Sequence, residues 1–149
     1  MTFQIRPALP EDQEIIVSFI RQAKLNPRNL RWERFLVAEK DGQIIGIRQV
    51  KVHAQGTREI ASGFVLPEYR RQGISARLLD KLLARESGTL YTMVSEKRAA
   101  YYEPFGFRRV DARQLPSDFR REYRLGRIVT SLMSAFRKER IRIIPMKRE

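Results

Sequence analysis

The chain has 149 residues, of which 42% are hydrophobic and 32% charged, and it carries a formal net charge of +13. Its length suits one domain spanning residues 1–149 with a sizeable core. It contains no cysteine. That excludes disulfides, thiolate metal ligands and a covalent intermediate carried on sulfur. The single His53 cannot build a metal site alone, so no metal is expected. The opening MTFQIRPALPED has no basic segment followed by an apolar run, and no apolar run nears the roughly 18 residues of a membrane span. A cytoplasmic chain without signal peptide or membrane span is the expectation. Residues 108–149 hold 13 Lys and Arg against 5 Asp and Glu. This basic third is either solubility charge or a surface for an anionic partner.

In chain order, Phe3 to Arg6 alternates as a first strand and stops at Pro7. Pro10-Glu11-Asp12 opens a helix, with acids at its positive end. Ile15, Ile16, Phe19 and Ile20 form its apolar stripe, to about Lys24. Asn26-Pro27-Arg28-Asn29 is a loop or a broken second helix, and Trp32 beyond it belongs to the core or lines a pocket. Phe35 to Glu39 and Gln43 to His53 read as strands joined by Asp41-Gly42, a strong hairpin signal. After a turn near Gln55-Gly56, Thr57 to Leu66 completes an antiparallel meander. A helix from Ser75 to Glu86 carries Leu78, Leu79, Leu82 and Leu83 on one face and ends at Ser87-Gly88. Its crossover implies that the fifth strand, Thr89 to Val94, runs parallel to the fourth.

Beyond it, Ser95 caps a short helix over Glu96 to Glu103, and Phe107 to Asp111 begins another strand. Ser117 then caps a helical segment with Phe119, Tyr123, Ile128, Leu132 and Phe136 at mostly helical intervals, interrupted at Gly126. Ile141 to Met146 reads as the last strand. There are no internal repeats and no low-complexity tract.

The chemistry concentrates between the fourth strand and the helix after it. Arg70, Arg71, Gln72 and Gly73 lie at the start of that helix, where backbone N–H groups lack partners and the dipole is positive. Gly73 lets the backbone approach a ligand closely, and arginines suit phosphate. The expected object is an anion cradle at a helix N-terminus. No Walker-type phosphate loop and no G-x-G-x-x-G string is present.

The string Val65, Pro67, Tyr69, Arg70, Gly73, Ser75, followed by the leucine-striped helix, resembles the acetyl-CoA-binding motif of GNAT superfamily N-acetyltransferases. Gln43 to Ile47 upstream and Ala100 to Phe107 downstream are similar to two further family segments. The likeness covers roughly residues 3 to 110. It implies an α+β fold: a GNAT-like mixed, mostly antiparallel sheet of about six or seven strands flanked by helices, with parallel fourth and fifth strands. A basic helical insertion at about 115–138, before the last strand, departs from the family pattern and would serve as a lid, a dimer contact or a partner surface.

The resemblance also implies site residues. The backbone of Gly63, Phe64 and Val65 would pair with the pantetheine arm of acetyl-CoA, the co-substrate. Arg70, Arg71, Gln72, Gly73, Ile74, Ser75 and Ala76 would hold its pyrophosphate. Tyr102 stands at the general-acid position, and a phenol stays protonated at neutral pH; spacing alone reads it as a packed tyrosine among Tyr101, Phe105 and Phe107. Glu59 matches an acid that some members use as general base, and otherwise reads as a surface carboxylate paired with a basic side chain. Strand alternation would put Glu59, Ala61, Gly63 and Val65 on one face. His53 is a weaker base candidate, read as a surface residue at a strand end. Ser95 replaces the usual asparagine, so its contact to the pantetheine arm is shorter or water-mediated.

The leading expectation is direct acetyl transfer from acetyl-CoA to a primary amine on a small molecule or protein. The alternative is a non-catalytic acetyl-CoA-binding module that recruits a partner through the basic C-terminal third. Nucleic-acid binding rests on charge alone. Acidic proteins or anionic metabolites rank above polycations as acceptors, and a monomer or homodimer is expected.

Overall fold

The computed structural model describes residues 1–137 and 139–149. Position 138, the end of the expected insertion, lies outside the described residues. In chain order the elements are β1 (Gln4–Pro7), α1 (Gln13–Gln22), β2 (Phe35–Lys40), β3 (Gln43–Val52), β4 (Arg58–Val65), α2 (Ile74–Arg85), β5 (Leu90–Ser95), α3 (Ala99–Tyr102), β6 (Arg108–Arg109), α4 (Ser117–Ala135) and β7 (Ile143–Arg148), with short 3-10 turns between them. The strands form one seven-stranded sheet in the order β1-β2-β3-β4-β5-β7-β6. β4 and β5 pair in parallel, with Glu59 opposite Tyr91. The β1–β2, β2–β3, β5–β7 and β6–β7 pairs are antiparallel. The fold is α+β with a mixed sheet, as the sequence leads one to expect. Among the described residues no helix is long and apolar enough to cross a membrane.

Two compact units make up the chain: Met1–Lys51 with Ile60–Ser87, and Val52–Glu59 with Gly88–Glu149. In the first, α1 packs Ile16, Phe19 and Ile20 with Phe35, Val37, Ile47 and Phe64. Ile15, expected in the same stripe, is 37% exposed; at 100° per residue it falls at the stripe's edge. The start of α1 is tied down by Asp12, which accepts hydrogen bonds from the Leu9 N–H and from Arg6 Nη1, both at 2.8 Å. Asp41 (φ 49°) and Gly42 (φ 76°) both adopt left-handed conformations between β2 and β3, the type I′ geometry that Asp-Gly favours.

α2 buries Ile74, Leu78, Leu79, Leu82 and Leu83, each worth about 1.5–3 kcal/mol of transfer free energy. It lies close on β3 because residue 46 is glycine. A Cβ there would come within 3.1 Å of Ile74 Cγ2 and 3.3 Å of Leu78 Cδ1.

The alternation expected along β4 is broken. Ser62 has a φ of 58°, and a left-handed residue inside a strand turns the following side chains away from strict period two. Glu59, Ala61, Gly63 and Val65 therefore do not share one face by alternation. Buried Gln49 of β3 steadies the kink, its Nε2 donating to Ser62 Oγ at 2.6 Å.

In the second unit, Tyr91, Leu115, Phe119 and Tyr123 form a buried cluster. Three expectations change here. The single helix over Glu96 to Glu103 is instead a 3-10 turn (Glu96–Arg98), the short α3 and a second 3-10 turn (Glu103–Phe105). Pro104 removes a donor, and left-handed Gly106 (φ 92°) closes the second turn. Ser95 holds the cap position of the first turn without a capping side-chain bond. Ser117 is the first residue of α4, not its cap; Pro116 precedes it, and Ser117 Oγ donates to Gln55 Oε1 at 2.7 Å. α4 also runs unbroken through Gly126, where a Cβ would come within 3.1 Å of Ile143 Cδ1 and 3.2 Å of Met93 Sδ.

Candidate active site

In the first unit the candidate binding surface runs from the end of β4 to the first turn of α2. Phe64 and Val65 are buried and Gly63 is exposed. Pro67–Tyr69 forms a 3-10 turn whose Tyr69 N–H reaches Leu66 O at 2.9 Å. The chain then makes two left-handed steps, at Arg71 (φ 60°) and Gly73 (φ 80°). Gly73 is the N-cap of α2 with no side chain to close it, so the first-turn N–H groups point outward as donors. A Cβ on Gly73 would meet nothing within 4 Å, which marks the backbone there as open to a ligand.

Both arginines are exposed, and Arg71 projects from the left-handed step. Arg70 also turns back toward β4: its Nε donates to Val65 O at 2.9 Å and its guanidinium lies 5.6 Å from the Phe64 ring centre. It braces the loop against β4. Gln72 is exposed, Ile74 is buried under the helix, and Ser75 and Ala76 are half-buried. No acidic side chain occurs between Tyr69 and Leu79.

Arg48 is a participant that sequence reading passed over. It is buried on β3, and its Nη1 donates to Ser75 Oγ at 3.2 Å. Its guanidinium lies against Gly63, where a Cβ would be 3.1 Å away. A cation beside a helix N-terminus raises the positive potential there. An arginine inside the apolar strand Ile44 to Val50 is the signal that could have revealed it.

In the second unit, Glu59 is buried and its Oε1 lies 2.8 Å from His53 Nε2. The surface ion pair expected for Glu59 is absent from its described bonds, and the His53 side chain is not a surface group: only 7% of it is exposed. It packs against Phe119, ring centres 5.7 Å apart, and Phe119 in turn against Tyr91 at 5.3 Å.

The first turn of α4 holds the segment that carries His53. Asp118 accepts from the Gln55 N–H (2.9 Å) and from Thr57 Oγ1 (2.6 Å). Burial pushes the Asp118 carboxyl up, but the hydrogen bonds from Thr57, Gln55 and Phe119 outweigh it and hold the group below the usual carboxylate range. Acids also suit the first turn of a helix.

Tyr102, in the same unit, is buried in a ring cluster: edge-on to Tyr101 at 5.2 Å and perpendicular to Phe107 at 6.0 Å. Ser95 ends β5, half-buried, opposite Ile143 of β7. Among the described residues no group of three or more His, Asp or Glu could hold a metal ion.

The sequence profile of the Acetyltransferase (GNAT) domain matches residues 31–109, just over half of the chain. This chain belongs to the GNAT acetyltransferase family. The matched segment contains β2 to β5, the cradle before α2, the Glu59–His53 pair and Tyr102. No curated protein matches the GNAT chain in sequence.

Solved structures resemble it in fold. N-acetylglutamate synthase from Neisseria gonorrhoeae, complexed with coenzyme A and N-acetyl-glutamate, is 22% identical with a TM-score of 0.72, over 99% of this chain and 35% of that one. Rv2747 from Mycobacterium tuberculosis, solved in complex with CoA, is 19% identical with a TM-score of 0.70, over 97% and 98%. The ribosomal-protein-S18-alanine N-acetyltransferase from Escherichia coli is 17% identical with a TM-score of 0.60, over 99% and 93%. The GNAT chain spans about a third of the length of the synthase chains.

Proposed function

We propose that this GNAT chain transfers an acetyl group from acetyl-CoA to a primary amine by direct attack of the amine on the thioester carbonyl. The observation that carries this reading is the open first turn of α2, with left-handed Gly73 at its cap. Its donors are backbone N–H groups with arginines beside them, which fits a pyrophosphate in charge and hydrogen bonding. The backbone from Arg71 to Ala76 would hold that group, with the charges of Arg48, Arg70 and Arg71 beside it. Gly63, Phe64 and Val65 would pair with the pantetheine arm through their backbone, and Ser95 would touch the same arm.

Acetyl-CoA, when bound, supplies the activated thioester. An N–H from the Gly63 to Val65 backbone polarises its carbonyl. Glu59, oriented by His53, takes the proton that the amine loses, directly or through water. Tyr102 gives its phenolic proton to the departing sulfur. A C–N bond forms as the C–S bond breaks, and one proton leaves the nitrogen as another reaches the thiolate. The lack of cysteine supports this direct route over an acetyl group carried on enzyme sulfur. The acceptor is a small molecule or a protein amine; the chain's positive charge favours an anionic one.

Calorimetric titration of acetyl-CoA into the natural chain and into Gly73→Asp tests the reading. We expect saturable binding to the natural chain. Binding should weaken at least about tenfold in the variant, because a carboxylate enters the anion cradle. Circular dichroism checks that the variant is folded. An absence of binding to the natural chain would overturn the proposal.

A further inference from the structure

α4 has a second apolar face that nothing in the described chain covers. Phe119 and Tyr123 are buried in the core of its unit, whereas Ile128 is 58% exposed, Leu132 62% and Phe136 91%. At 3.6 residues per turn, Leu125, Ile128, Val129, Leu132 and Phe136 share one stripe on the side away from Phe119 and Tyr123. Apolar side chains exposed singly are ordinary, but a contiguous row marks an interaction surface.

Beside this stripe runs a basic row. Ser117, Arg120, Arg121, Arg124 and Leu125 line a surface groove, and exposed Arg127 continues the row. Leu125 belongs to both groove and stripe. Arginines therefore lie next to apolar side chains along one flank of the helix, with exposed Arg137, Arg140 and Arg142 beyond its end.

We infer that α4 is a docking helix for an anionic phospholipid surface. The arginine groove meets headgroup phosphates, and the stripe from Leu125 to Phe136 enters the acyl boundary beside it. An interfacial helix needs this pairing of a basic row with Leu, Ile and Phe, and long arginine side chains reach from an apolar bed to charged headgroups. Charge opposes a second copy as the occupant. Antiparallel pairing of two α4 helices, centred on the stripe from Leu125 to Phe136, would set the Arg121 and Arg124 end of one helix against the exposed Arg137 end of the other. An acidic protein would satisfy the arginines, but the adjoining row of aliphatic side chains and phenylalanine suits an acyl boundary better.

Co-sedimentation of the full chain with vesicles tests this at 0.15 M NaCl. We expect partition onto vesicles of equal phosphatidylglycerol and phosphatidylcholine and none onto phosphatidylcholine alone. Ile128→Ser/Leu132→Ser and Arg121→Glu/Arg124→Glu, all exposed positions, should each lower partition at least about tenfold. Phe136→Trp supplies a second readout: its emission should shift to the blue with the anionic vesicles, over the Trp32 signal of the natural chain. If the apolar double variant partitions as well as the natural chain, the attraction is that of a +13 polycation and the proposal fails. It fails equally if the natural chain stays in solution, or if it binds poly-glutamate and no vesicle, which would favour an acidic protein. A lipid-free dimer in sedimentation velocity that the apolar variant dissolves would assign the face to a second copy.

Discussion

Tyr102 carries the sharpest choice at the scale of single residues. Its ring is packed among aromatics, and packing and proton donation make different demands on the hydroxyl. Phenylalanine keeps the ring contacts and removes only the donor. We expect Tyr102→Phe to bind acetyl-CoA as the natural chain does and to lose about 10²–10⁴-fold in kcat. Steady-state kinetics with an acceptor found by screening would check this; an unchanged kcat would reduce Tyr102 to a packing residue.

Asp118 makes a prediction about pH. Its carboxyl is held below the usual range in the folded chain, so the unfolded chain binds more protons as acid is added. The stability it contributes is complete above its unfolded value, near 4. It is lost as pH falls through the lower folded value. Asp118→Asn should cost about 1–3 kcal/mol at neutral pH. Its urea midpoint should also fall less steeply than that of the natural chain between pH 5 and pH 3, on the order of one carboxyl's contribution.

Elements in this fold are set by where side chains meet them. α4 shows it best. Gly126 lies in its interior, where glycine is disfavoured by about 0.5–1 kcal/mol relative to alanine. The atoms a Cβ would meet, Ile143 Cδ1 and Met93 Sδ, are the free ends of adaptable side chains. Gly126→Ala should therefore raise stability by a few tenths to about 1 kcal/mol, read as a higher urea midpoint. Gly126→Leu should lower it, because a full side chain cannot fit against β7. The same helix, through Asp118 and Ser117, anchors residues 55 and 57 and so holds His53 at Glu59. α4 thus supports the proposed base. In α2, Gly73 leaves the first turn without a side-chain cap, and Leu78, Leu79, Leu82 and Leu83 bury the helix's other side.

For the whole molecule, charge is the dominant unbalanced quantity. Ion pairs such as Arg6–Asp12 and Arg113–Asp111 cannot balance 30 Lys and Arg with 17 Asp and Glu. Self-repulsion at +13 works against the compact state, and salt screens it over a Debye length of about 10 Å at 0.1 M. We expect the thermal midpoint to rise by a few degrees between 0.05 M and 0.5 M NaCl, measured by calorimetry. A flat or falling midpoint would mean that the chain's ion pairs, weakened by the same salt, outweigh the repulsion.

What the sequence determined alone is what local chemistry can specify. Asp41-Gly42 dictates a hairpin because both residues accept left-handed angles. Four leucines at helical spacing dictate one face of α2. The motif from Val65 to Ser75 before that helix was enough to reach the GNAT family and the parallel β4–β5 pair. The tertiary structure alone decided contacts between residues far apart in the chain. The left-handed Ser62, steadied by Gln49, breaks the alternation that period two would give β4, since a neighbouring strand can hold a backbone angle that local preference resists. His53 is drawn inside by Glu59 and by a helix more than sixty residues later, which no spacing rule could reveal. Arg48 reaches Ser75 across the sheet and helix, and the apolar intervals of α4 divide into a buried face and an exposed one. Periodicity identifies which side chains share a face of a helix; only packing decides which face meets the core.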